Sequence, residues 1–178
     1  MSKTKLFFRY FIMLSLFILH TQCKDGTNQD VSDSEASATA GINLSATDIN
    51  QIKYTEYVLS DLAEQKTNEW QKFQVLLTQV ESLKKGNVSF FIDDKTTLKG
   101  FIDDLKKEIP QGLNLPSIAV RLVVLETAMY KLDETASLNN IPKQVLLDAV
   151  KELLITHNNL VLQINKSIEK ASQNIIKP

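Results

Sequence analysis

The sequence predicts an all-α domain built as a four-helix bundle, and three observations carry that prediction. From residue 48 onward, apolar residues recur at spacings of three and four, which gathers them on one face of a helix. The pattern is interrupted at Gly86, at Pro110 with Gly112, and at Asn140 with Pro142, residues that end helices or begin turns. No stretch alternates with period two between turn signals, so no sheet is expected.

The first predicted helix opens on a capping box, Ser45 with Asp48. Its stripe is Ile49, Ile52, Leu59, Leu62, Trp70, Phe73, Leu77 and Val80. Lys84 and Lys85 suit the negative end of the helix, and Gly86 supplies a left-handed cap. The helix would be about 39 residues and about 58 Å long. Val88 to Ile92 is the sole strand candidate, too isolated to stand alone.

The second helix starts at Asp93 or Asp94, presents Leu98, Phe101, Ile102 and Leu105, and stops at Pro110. The third opens after Asn114 with Pro116 in its first turn and presents Ile118, Leu122, Leu125, Met129 and Leu132. Residues 118 to 125 are apolar on nearly every side, so this helix is expected to be the most buried element. The fourth follows Asn140 and Pro142, with a seam running from Leu146 through His157 to Ile175. Short polar turns between helices imply antiparallel neighbours, with the first and fourth as long pillars.

The N-terminus has a different design. A basic head (Lys3, Lys5, Arg9) precedes an apolar run from Tyr10 to Leu19, then His20-Thr21-Gln22-Cys23. The run is about ten residues, against roughly 20 for a bilayer-spanning helix. This is the layout of a signal peptide cleaved before a cysteine whose thiol carries lipid. Three regions follow: a lipoprotein signal peptide at 1–22, Cys23 with a flexible tether at 23–47, and the helical domain at 48–178. The tether is rich in Ser, Thr, Ala, Gly and acid, a composition that cannot build a core. As a soft coil of 24 residues it spans roughly 25–30 Å. The other reading is an ordinary secreted protein with a cysteine near its cleavage site. Cys23 is the only cysteine, so no disulfide forms within the chain.

The chain holds 20 basic and 21 acidic residues. Residues 1–22 contribute three bases and no acids, which leaves 17 against 21 from residue 23 onward, a net charge of −4. The 48–178 region is close to neutral and lacks the basic footprint of a nucleic-acid binder.

Few residues offer chemistry. His157, the sole histidine after the signal peptide, lies on an apolar seam; one histidine without cysteine cannot complete a zinc set. The expectation is a core histidine hydrogen-bonded across the bundle. Arg121 lies in the apolar block of the third helix, so it forms either a structural ion pair or snorkels to water. Asp93-Asp94 and Asp103-Asp104 do not have EF-hand spacing; the first pair suits a helix start and the second a solvated face. Trp70 and Phe73 read as core. Tyr54 and Tyr57, with Phe90 and Phe91 in the first inter-helix loop, are the candidate partner-binding residues, because tyrosine offers contact area and a hydroxyl at low entropic cost.

The layout of Lys3, Lys5, the apolar run, Cys23, a soft tether and a helical domain resembles the small all-helical outer-surface lipoproteins of spirochaetes, those of the Lyme-disease group above all. The chain departs from the usual lipobox: His20 and Gln22 stand where an aliphatic and a small residue belong, with Leu19 one step early. Lys24-Asp25 is also similar to the acidic export signals of Bacteroidetes surface lipoproteins. The resemblance implies a lipidated (palmitate-bearing) Cys23, an outer-membrane, cell-surface location and binding of host proteins. The expected function is a membrane-anchored protein-binding module. Two alternatives stand beside it: a periplasm-facing structural or assembly lipoprotein, and a carrier of a small apolar ligand held between the third and fourth helices. No enzyme, cofactor, metal or nucleic-acid partner is expected, since nothing pairs a nucleophile with a base.

Overall fold

Ser45 caps the first helix as the sequence predicts. Its hydroxyl accepts from the Asp48 amide at 3.2 Å and its own amide donates to Asp48 Oδ2 at 2.9 Å, which satisfies two orphan donors of a helix start. The computed structural model describes residues 44–173, which lie within one compact unit. Among these residues every regular element is helical and there is no strand. Cys23, the signal peptide, nearly all of the tether and Ile175 lie outside the described residues. Leu44 to Thr47, expected in the tether, belong to the fold: Leu44 is buried in the core.

The six α-helices are α1 (Ala46–Asn50), α2 (Asp61–Thr67), α3 (Gln71–Lys84), α4 (Lys95–Lys107), α5 (Pro116–Ala136) and α6 (Lys143–Ser172). Two 3-10 turns, η1 (Ser89–Ile92) and η2 (Gln111–Leu113), flank α4. The strand candidate at Val88 to Ile92 is therefore a helical turn. At 30 residues, α6 is about 45 Å long. It runs antiparallel to α5: Lys131 pairs with Glu152 near one end, and Leu115 and Pro116 lie beside Gln163 to Gln173 at the other.

The long first helix of the sequence reading is broken into three. After α1 the chain runs as a strap over residues 51–60, extended enough to lie along α6 rather than coil. The strap's backbone hydrogen bonds are taken by side chains. The Tyr57 amide donates to Asn158 Oδ1 (2.7 Å) and the Ser60 amide to Asn165 Oδ1 (3.0 Å), while Asn165 Nδ2 donates to the Val58 carbonyl (2.8 Å). Two asparagines seven residues apart share a helix face, so one side of α6 reads the strap's backbone. Ile52, Tyr54, Thr55, Tyr57 and Val58 are β-branched or aromatic, a composition with low helix preference. Ser60 then caps α2 by accepting from the Ala63 amide. A second break precedes α3, where buried Trp70 donates from Nε1 to the Leu105 carbonyl of α4 at 2.8 Å.

The core is continuous. Trp70 stacks on Phe73 with ring centroids 4.8 Å apart, and Leu76, Val80 and Leu83 continue the inner face of α3. From α5 come Ile118, Leu122, Leu125, Met129 and Leu132, and α6 adds Leu153, Leu160 and Ile164. α3 closes as expected: Gly86 has φ +98°, the Gly86 amide donates to Leu83 O and the Asn87 amide to Ser82 O, a Schellman cap.

Candidate interaction surface

Burial is distributed differently from the sequence expectation. The third predicted helix was to be the most buried element; α5 instead buries only one face. Val120, Val123 and Val124 lie on the opposite face, 59%, 53% and 43% exposed. The reason is position: α5 packs on α6 and on η1 with its inner stripe, and nothing among the described residues covers its outside. α6 is the more enclosed helix, with thirteen buried residues against seven in α5. Arg121 shares this exposed side and makes no ion pair among the described residues, so of the two expectations, ion pair or arginine reaching water, the exposed side chain fits the second.

The sequence-chosen aromatics divide. Phe91 is fully buried and has no surface to offer. Phe90, partly buried, meets Phe91 edge-on at 5.1 Å and Phe101 edge-on at 4.9 Å. These rings form an internal cluster, because η1 folds the loop inward against α4 and α5. Tyr54, on the strap, is half-buried, and Tyr57 is 37% exposed. No ring contact among the described residues joins the tyrosine pair to the phenylalanine pair.

Beneath the strap lies a charged cluster. Lys84 bridges Glu56 of the strap and Glu81 of α3, the latter at 2.6 Å. Burial opposes the charge of Lys84, but the two carboxylates outweigh it and raise its pKa. Burial likewise raises the Tyr54 phenol. His157 lies near this cluster, 6% exposed, and both its ring nitrogens lack a hydrogen-bond partner among the described residues. The cross-bundle hydrogen bond expected for it is absent, since its neighbours on the seam are aliphatic. Burial, reinforced by Lys84 and opposed by Glu81 and Glu56, lowers its pKa to about 4, so the ring is neutral at neutral pH.

Asp133, 3% exposed, has one carboxylate oxygen without a partner, and desolvation raises its pKa. The aspartate pairs serve the fold. Asp94 caps α4 by accepting from the Thr96 and Thr97 amides, and Asp93 accepts from the Asp94 amide. Asp103 pairs with Lys99 at 2.5 Å and Asp104 with Lys72 at 3.1 Å. Among the described residues no group of three His, Cys, Asp or Glu side chains is placed to hold a metal ion, and no helix is long and apolar enough to cross a membrane.

No protein-family model, curated protein or solved structure matches the chain.

The surface that sequence reasoning missed is the valine face. Its signal was present in the all-round apolar run at 118 to 125, which reads equally as a helix buried on both sides or as one carrying a second, uncovered face.

Proposed function

We propose that this chain is a lipid-anchored bacterial surface lipoprotein of the spirochaete type, whose helical domain binds another protein, host-derived, through the outer face of α5. The four longest helices, α3 to α6, make the bundle-like body that presents this face. The observation that carries the reading is the exposed Val120–Val123–Val124 stripe: three β-branched residues on adjacent turns, stiff in χ1 and uncovered among the described residues. Arg121 beside it, unpaired among the described residues, supplies a cation at the rim, a composition that favours contact with an apolar helix bordered by acid. Cys23 at the exit of the apolar run supports the anchor, and the polar stretch after it supports a tether that holds the face away from the bilayer.

The test joins two measurements. Metabolic lipid labelling of the wild type against Cys23→Ala, with protease shaving of intact cells, reads anchoring and exposure; labelling that survives the substitution, or a chain that resists shaving, removes the surface reading. Capture of serum and matrix proteins by the full chain, wild type against Val124→Asp, reads the contact. Loss of a saturable partner with unchanged thermal unfolding is expected. Equal capture by both proteins rejects the α5 face.

A further inference from the structure

The C-terminal end of α6, helix α2 and the η2 turn enclose a groove of about 450 Å³, within the range of small-molecule pockets, roughly 300–1,000 Å³. Leu62, Leu113, Ile168 and Ala171 supply its apolar surface. Leu113 and Ile168 are buried, whereas Leu62 and Ala171 are exposed, so the apolar surface runs from the depth of the groove to its mouth.

Three polar side chains complete it: Lys66, Ser167 and Ser172, the last donating its hydroxyl to the Glu169 carbonyl at 2.7 Å. Among the described residues Lys66 is the one charged side chain in the lining, and it joins none of the ion pairs formed among them. Ser167 is 9% exposed and accepts from Gln163 Nε2 at 3.2 Å, which leaves its hydroxyl proton available to donate. The groove therefore offers an ammonium and a hydroxyl donor beside a greasy surface, with no carboxylate among the described residues that line it.

We propose that this groove binds a single-chain amphiphile with an anionic head group. The alkyl chain lies over Leu62, Leu113, Ile168 and Ala171, and the carboxylate or phosphate is taken by Lys66 and Ser167. A cationic head would meet the ammonium of Lys66. An uncharged one would gain the apolar contact without the charge-assisted bond, which is the stronger interaction. The site is separate from the α5 face, so its failure leaves the protein-binding reading untouched. It also differs from an apolar carrier site between the third and fourth predicted helices, because the ligand lies at the end of α6 and is selected by charge.

Titration calorimetry and amide chemical shifts of the full chain carrying Cys23→Ser, so that no attached lipid competes, test the site. The probes are dodecanoate, dodecyl phosphate and dodecyltrimethylammonium, each kept below its micellar concentration. Saturable one-to-one binding of an anion is expected, with shifts at Leu113, Ser167 and Ala171. Preference for dodecanoate assigns a fatty acid, and preference for dodecyl phosphate assigns a lysophospholipid-like ligand. Lys66→Gln should weaken the anion at least about tenfold. Ala171→Glu, on an exposed position, should abolish anion binding while the thermal midpoint is kept. Equal affinity for the cationic probe, no saturable binding of either anion, or an unchanged affinity in Lys66→Gln overturns the proposal.

Discussion

Acid titration probes the buried ring of His157 directly. Burial holds its pKa at about 4 in the folded chain, whereas an exposed histidine titrates near 6.5. Below pH 6.5 the unfolded chain takes up a proton that the folded chain refuses until pH 4. Over that window the unfolded state binds more protons, so stability is complete above pH 6.5 and falls as the pH falls. The two titration curves give a loss of about 2 kcal/mol between pH 7.5 and pH 5, and about 3 kcal/mol once both states are protonated. The upper part of the window is diagnostic, because ordinary carboxylates titrate below it. Urea unfolding of the full chain at pH 7.5, 6.5, 5.5 and 5.0 measures the loss as a falling midpoint at constant slope. His157→Leu has a similar volume and no ring nitrogens. It should flatten the profile between pH 7.5 and 5 and match or exceed the wild type at pH 7.5, since two unpartnered buried nitrogens are removed. A wild-type midpoint that is constant across this range, or a leucine variant that keeps the slope, refutes the argument that the buried ring stays neutral.

Two further predictions concern the strap and the cap beside it. Asn165→Ala removes both hydrogen bonds to the strap at Val58 and Ser60 and should cost about 1–2 kcal/mol; hydrogen exchange should speed up at Tyr57 to Ser60 and stay slow in α5, and uniform acceleration would mean that the strap does not open locally. Gly86→Ala places a Cβ on a residue at φ +98° and 2.8 Å from the Leu44 carbonyl, so it should destabilise by more than about 1 kcal/mol in thermal or urea unfolding; a neutral effect would mean that the N-terminal segment shifts freely away from the α3 cap.

Helix ends were more legible than helix continuity. The Ser45–Asp48 box, the Gly86 cap and the Asp94 cap are interactions between residues at most five apart, and each is where the pattern of side chains puts it. The break in the first predicted helix was not legible, because the stripe at Ile49, Ile52, Leu59 and Leu62 keeps helical spacing through a segment that does not coil. A finer signal existed. Ser60-Asp61 is a second helix start within the supposed helix, and the residues before it are β-branched and aromatic. The candidate aromatics show the same division. Phe90 and Phe91 look like loop residues by position, yet η1 turns Phe90 against Phe101 and buries Phe91. The groove at the end of α6 had no sequence signature, since Leu62, Leu113 and Ile168 are distant in the chain and each reads as ordinary core.

By itself the sequence determined that the domain is helical and where most helices begin and end. Apolar period, caps, prolines and the Gly86 conformation act within one or two turns and need no distant partner. Only the tertiary structure decided that residues 51–60 are a strap, that α5 shows valines to solvent and that His157 has no hydrogen-bond partner among the described residues. The strap exists because Asn158 and Asn165, 101 to 107 residues away in the chain, take over backbone bonds that a helix would otherwise make for itself. A local pattern says which backbone bonds a segment can form alone. Packing decides which are replaced, and which apolar faces are left uncovered.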